Sequence, residues 1–252
     1  GNTAVGEASL IASLANNNTG VGFRALFSDT TGDRNVALGV DALKSLVTHS
    51  ANTAIGFEAM KLNTADSNTA VGAYAMDSNS TGGDNTSVGS QSLRANTTGA
   101  SNTAMGVGAM TANTTASNNT AFGASALAAN TTGTQLVAIG RGAMDANTTA
   151  NDKTAVGYDA LGANTNGYQN TAVGKDALLV ANGAVNCTAI GKGALVACNS
   201  SDNTALGEAA GYSITTGTDN VMIGKATQGP TTASNTVVIG SDIGNQGNNS
   251  NM

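Results

Sequence analysis

The chain has 252 residues, with one histidine, one proline, two cysteines, no tryptophan, 3% aromatic and 10% charged residues. A net charge of −6 argues against a nucleic-acid partner, which asks for clustered Lys and Arg, and no run approaches the roughly 18 apolar residues of a membrane span. Hydrophobic residues reach 40%, but alanine supplies much of this, so a thick core is excluded, and a single proline with modest charge speaks against disorder.

What remains is a thin, regular structure, and the order of residues supplies one. A glycine closes a motif of the form N-T-A-V-G at Gly6, Gly22, Gly39, Gly56, Gly72, Gly89, Gly106, Gly123, Gly140, Gly157, Gly174, Gly191, Gly207, Gly224 and Gly240, always 16 or 17 residues apart. The consensus unit is N-T-A-V-G-x-x-A-L-x-A-N-T-T-G-x-x. A unit this short suits one coil of a parallel β-solenoid. The predicted coil has a first strand at T-A-V-G, a second at A-L-x-A, and turns at x-x and N-T-T-G. At roughly 4.8 Å per stacked strand, fifteen such coils predict a rod on the order of 70 Å.

The residue before each anchor glycine is large and apolar, from Val5, Val21 and Leu38 to Ile223 and Ile239. Strand alternation puts its predecessor on the opposite face. If the large residue fills the interior, the small row lies outside as a smooth surface for another chain. The interface candidates are Ala37, Ala54, Ala70, Ala104, Ala121, Ala138, Ala155, Ala172 and Ala189. A second apolar line, from Leu10, Leu26 and Leu43 to Leu195, is expected to close the interior. Asn opens most units (Asn52, Asn85, Asn102, Asn170) and also the second turn from Asn63 to Asn164. Stacked in register, these are expected to form hydrogen-bonded ladders.

The two positions after each anchor glycine vary most. Arg24, Glu58, Tyr74, Arg141, Tyr158 and Lys175 are the candidates for contact with a receptor or glycan, on a solvent-facing edge. Acidic residues before the unit (Asp33, Asp66, Asp84, Asp152, Asp202, Asp219) number about one per coil, too few for Ca²⁺, and read as turn residues. No metal or cofactor is expected. Cys187 and Cys198 take the two Asn positions of a single coil, which raises either a disulfide or two independent small buried substitutions. His49 has no nucleophile motif placed to use it, so catalysis is not expected. Residues 1–207 read as thirteen regular coils. Residues 208–252 read as two altered coils, with Met222 and Val238 in the small-residue row, and a polar tail; the packing surface is expected to change there, towards another module.

NTAIG at residues 52–56 and SNTVVIGSD at residues 234–242 resemble the S-V-A-I-G repeats of trimeric autotransporter adhesin heads. They resemble as closely the NTAxG-type repeats of long phage tail fibres and related bacterial surface fibres, and the resemblance covers essentially the whole chain. It implies a left-handed parallel β-roll, three chains around one axis, and an attachment role at a cell surface, outside the cell or on a virion. The unit here is longer than the usual adhesin unit, Thr often replaces the first apolar residue of the motif, and no stalk, membrane anchor or terminal chaperone domain is recognised. Neither end reads as capped, so the chain is expected to belong to a longer fibre or to stack end to end. The expected partners are two further copies, a host receptor or glycan, and such end-to-end neighbours. Two other functions fit the repeats: ice binding by Thr and Asn rows, although the NTT pairs fall at a turn, and a purely structural filament.

Overall fold

One short strand forms per repeat because only T-A-V can stay extended before the glycine turns the chain. This is a computed structural model that describes residues 1–229 and 231–243; the polar tail expected at 245–252 lies outside the described residues. The described chain is an all-β solenoid of fifteen parallel strands, with no helix among the described residues. It divides into two compact units, Gly1–Thr132 and Gly133–Met252.

The first unit holds β1 (Thr3–Val5), β2 (Thr19–Val21), β3 (Val36–Leu38), β4 (Thr53–Ile55), β5 (Thr69–Val71), β6 (Thr86–Val88), β7 (Thr103–Met105) and β8 (Thr120–Phe122). Each pairs with the next in register, as in Thr53↔Thr69, Ala54↔Ala70 and Ile55↔Val71. The second unit holds β9 (Leu136–Ile139), β10 (Lys153–Val156), β11 (Thr171–Val173), β12 (Thr188–Ile190), β13 (Thr204–Leu206), β14 (Val221–Ile223) and β15 (Val237–Ile239), paired in the same way.

The expected second strand does not form. After each anchor glycine the chain makes two successive turns, closed in the fourth coil by Ala59 N–H to Gly56 O at 3.4 Å and Asn63 N–H to Met60 O at 3.1 Å. The second and fourth residues after the glycine are left-handed, as at Glu58 (φ 54°) and Met60 (φ 49°), so A-L-x-A cannot extend. Coils still hydrogen-bond to one another along this wall, Met60 N–H to Ala75 O at 2.9 Å for example. The anchor position admits only glycine for two reasons. Gly72 has φ +139°, and a Cβ there would lie 2.6 Å from the carbonyl carbon and oxygen of Gly89.

The strand alternation is the reverse of the expected one. Ala37, Ala54, Ala70, Ala104 and Ala121 in the first unit, and Ala138, Ala155, Ala172 and Ala189 in the second, are all fully buried inside the coil. The large residues before the glycine point outward, with Leu38 47% and Phe122 53% exposed. The reason is volume. A 17-residue coil encloses little more than two Ala rows and one Leu or Met row, and interiors tolerate neither voids nor overpacking. The second apolar line (Leu26, Leu43, Met60, Met76, Leu161, Leu178, Leu195) is buried as expected.

Where the inner rows change, they change in compensating sets. Ser87 in the strand row faces Ser92 of the same coil and donates to its carbonyl at 2.9 Å. Met222 is also buried, so it alters the core and not an outer packing surface. Its space comes from Gly211 in the Leu row, whose missing Cβ would sit 3.4 Å from Met222 Cγ.

Two Asn rows complete the interior. In the strand-opening row each Oδ1 accepts the backbone N–H of the next Asn: Asn35 to Asn18 at 2.8 Å, Asn52 to Asn35 at 2.9 Å and Asn85 to Asn68 at 2.9 Å. Nδ2 donates to a turn carbonyl of the next coil, as from Asn85 to Gly99 O at 2.9 Å. In the second row Nδ2 donates to the preceding Oδ1, Asn96 to Asn79 at 2.7 Å and Asn113 to Asn96 at 2.8 Å, and also to its own turn, Asn96 to Gly99 O at 2.9 Å. Buried carboxamides are stable only when satisfied in this way.

Candidate functional site

The outward sheet face carries two rows, the strand-opening Thr and the large apolar residue. In the first unit the apolar row runs through Val21, Leu38, Ile55, Val71, Val88, Met105 and Phe122, half-buried or exposed. It is widened by the residue after the glycine: Phe23, Val40, Phe57 and Val107 are all exposed. In the second unit Ile139, Ile190, Leu206, Val237 and Ile239 are exposed. There the residue after the glycine turns polar, as Arg141, Tyr158, Lys175, Lys192, Glu208 and Lys225. An exposed apolar row of this regularity is a candidate contact surface. The alanines expected to form it are inside the coil.

Of the six expected contact residues, three belong to the first unit and are half-buried. Arg24 pairs with Asp41 at 2.8 Å and lies over the Phe23 ring at 4.5 Å. Glu58 pairs with Lys61 at 3.2 Å. Tyr74 meets Phe57 edge to face at 5.3 Å, with Arg94 over its ring at 5.2 Å. Asp41 Oδ1 and Arg24 Nε are buried without a hydrogen-bond partner, so that pair is a tight local contact more than a free recognition group. The other three form one exposed patch on successive coils. Arg141 lies 5.7 Å and Lys175 Nζ 5.6 Å from the Tyr158 ring centroid, and Lys175 also pairs with Asp176 at 3.2 Å. An aromatic face set among cations and carboxylates can stack on a sugar ring and hydrogen-bond its hydroxyls. Just behind this patch, burial pushes the Asp145 carboxyl up, helped by the neighbouring charge of Asp159.

A shallow polar groove of about 380 Å³ opens on the opposite turn of the first unit, lined by His49, Thr64, Asp66, Ser67, Thr81 and Asp84. It was not legible in the sequence, because its lining comes from three successive repeats. His49 Nδ1 is buried there without a hydrogen-bond partner. Asp66 Oδ1 accepts Ser50 N–H at 2.6 Å, and Asp84, Asp152, Asp202 and Asp219 have φ near +60°, so the acidic residues do turn work. Among the described residues no three His, Cys, Asp or Glu side chains gather as metal ligands.

Four inner-row residues that replace Asn are ionisable or reactive. Asp29, fully buried in the second Asn row, accepts Ser13 Oγ at 2.7 Å, Asn18 Nδ2 at 3.1 Å and Gly32 N–H at 3.0 Å; burial raises its pKa against these bonds. Lys153 replaces the strand-opening Asn, is 1% exposed, and donates to Asn147 Oδ1 at 2.6 Å and Asn164 Oδ1 at 3.0 Å. Cys187 and Cys198 are neighbours across one coil, as their joint replacement suggested, and both are buried free thiols.

No known family model matches this sequence, and no curated protein is similar to it.

Proposed function

We propose that the chain is a non-catalytic segment of a homotrimeric fibre, outside the cell or on a virion, that projects from a phage tail or a bacterial surface and attaches to a host receptor or glycan. The observation that carries this reading is the continuous outward row of large apolar side chains in each unit. Val, Leu, Ile and Phe side chains left in water forfeit about 1.5–3 kcal/mol each relative to burial, and among the described residues neither unit has a second sheet with which to cover them. Three copies with these rows turned toward a common axis would bury them together, as in the left-handed β-rolls that the repeats resemble. The Tyr158 patch lies at the edge of that face and is the proposed glycan contact.

The test is native mass by light scattering, followed by brief heating in detergent, for the wild type and for Leu38→Asp with Phe122→Asp. The reading expects a detergent-resistant trimer that the double variant reduces to a folded monomer. A wild-type monomer would overturn it.

Ice binding is the second reading, and one observation favours it: strand Thr residues such as Thr69, Thr86 and Thr103 stand one per coil on the outward face. The adjoining row varies from Val71 to Met105 and Phe122, which breaks the flat spacing that ordered water needs. The NTT threonines are otherwise engaged, Thr97 Oγ1 donating to Thr114 O at 2.9 Å. Thermal hysteresis in a monomer would select this reading. A trimer that binds no glycan and lengthens with concentration would select a purely structural, end-to-end filament.

A further inference from the structure

Within the second unit, Cys187 stands just before strand β12 in the first Asn row, its N–H donating to Asn170 Oδ1 at 2.8 Å. Cys198 stands in the second Asn row of the same coil and accepts from Asn203 Nδ2 at 3.4 Å. Residues at these two positions meet across the coil elsewhere: Asn63 Nδ2 reaches Asn52 Oδ1 at 3.3 Å, and Lys153 Nζ reaches Asn164 Oδ1 at 3.0 Å. In the cysteine coil the two thiols converge on one acceptor, the Ser200 carbonyl, at 3.1 Å from Cys187 Sγ and 3.4 Å from Cys198 Sγ. Two independent small substitutions would have no reason to fall in the same coil and face one another. Ser87 and Ser92 show that inner-row changes are made in matched pairs.

We propose that Cys187 and Cys198 are a redox-active pair that closes an intra-coil disulfide when the folded chain meets a small peroxide-class oxidant. The Cys198 thiolate attacks a peroxide oxygen; an S–O bond forms, the O–O bond breaks, and hydroxide leaves to become water. Cys187 sulfur then attacks the Cys198 sulfenic acid; the S–S bond forms, the S–O bond breaks, and the departing hydroxide takes the Cys187 proton as a second water. Two electrons pass from the sulfurs to the peroxide, and nothing else is consumed. The division of roles follows the hydrogen bonds. Cys198 sulfur accepts from Asn203 Nδ2 at 3.4 Å, which favours its thiolate, whereas Cys187 makes the shorter bond to the Ser200 carbonyl, 3.1 Å against 3.4 Å, and keeps its proton. The bond would tie the strand to the opposite wall of the coil without disturbing either outward surface.

The experiment exposes the folded wild-type protein to hydrogen peroxide, removes the excess with catalase, then denatures and alkylates it before non-reducing peptide mapping. The expected result is a Cys187–Cys198 linked peptide, an intact mass lower by two hydrogens, and a melting temperature several degrees above that of the reduced protein. Cys187→Ser should instead accumulate a dimedone-reactive sulfenic acid on Cys198. Two alkylated cysteines after peroxide treatment, or over-oxidised Cys198 beside a free Cys187, would overturn the proposal. Because the readout is covalent and within one coil, it is independent of whether the chain is a trimer.

Discussion

Replacing Lys153 by asparagine restores the residue that usually opens the strand and removes the one ammonium placed inside the coil. Burial pulls the Lys153 pKa down to about 7 from 10.5. The folded chain therefore binds fewer protons than the unfolded chain between those values, and stability must rise with pH across that window. The contribution is fully present above about 10.5 and is lost as pH falls through about 7. At about 1.36 kcal/mol per pH unit the ceiling is on the order of 5 kcal/mol, of which about 3 kcal/mol should appear between roughly pH 6.5 and 9.5. The two Asn oxygens that accept from Nζ hold the ammonium form and reduce what is realised.

The assay is guanidinium unfolding followed by far-UV circular dichroism, for wild type and Lys153→Asn at four pH values across that range. The variant is expected to be the more stable at every pH, by a margin that narrows as pH rises. Subtracting the two curves cancels every other titrating group. A margin that stays constant would refute the reasoning, because it would mean that Lys153 remains charged and satisfied inside the coil.

Gly72→Ala places a methyl group against the Gly89 backbone at 2.6 Å, in a conformation that L residues avoid, and should destabilise the fold by several kcal/mol on the order of other severe backbone clashes, read as a lower denaturation midpoint. Gln91→Gly relieves a left-handed residue (φ 60°) and should leave stability unchanged or raise it by up to about 1 kcal/mol. Asn96→Ala strips the partner from the buried Asn79 Oδ1, while Gly99 O keeps its bond from Asn85, and should cost about 1–3 kcal/mol for the acceptor orphaned. Tyr158→Ala should weaken glycan binding on an array or in a host-cell adsorption assay by roughly tenfold or more while leaving the melting temperature unchanged, since the ring is exposed and its stacking is worth on the order of 1–2 kcal/mol.

The period of 16 or 17 residues was enough to give the solenoid, the strand, the anchor glycines and the buried Leu line, because each depends on local chain geometry repeated in register. The direction of the strand alternation was not legible from the pattern T-A-V alone. Both faces of a three-residue strand are apolar here, and hydrophobicity cannot decide which is inside. Volume can. The Ala row holds almost one side-chain size through thirteen repeats, whereas its neighbour wanders from Val to Met to Phe, and only a surface facing away from the coil tolerates that. The second strand failed for another reason: A-L-x-A reads as extended, but the left-handed φ of Leu26 (52°) and Leu43 (48°) is imposed by closing a small coil, a constraint that single-strand propensities do not contain. The Tyr158 patch was legible as exposed variable residues, yet its cohesion needed the stacking of three successive coils.

The same geometry separates the positions that are free to vary from those that are not. Inner positions are constrained by volume, by ladder hydrogen bonds or by backbone approach, and several substitutions there come in compensating sets, such as Ser87 with Ser92 or Gly211 with Met222. Positions after the glycine escape these constraints because their side chains leave the coil at a corner. In the first unit they are apolar at Phe23, Val40 and Phe57 and extend the contact face; in the second they are Arg141, Tyr158 and Lys175 and do not. On the proposed reading, a fibre built this way would change its partner by changing corner residues while the coil beneath stays the same. Grafting Arg141, Tyr158 and Lys175 onto the equivalent corners Val40, Phe57 and Ala73 should therefore transfer glycan binding to the first unit without a change in fold. A graft that folds but does not bind would show that recognition needs more than the corner row.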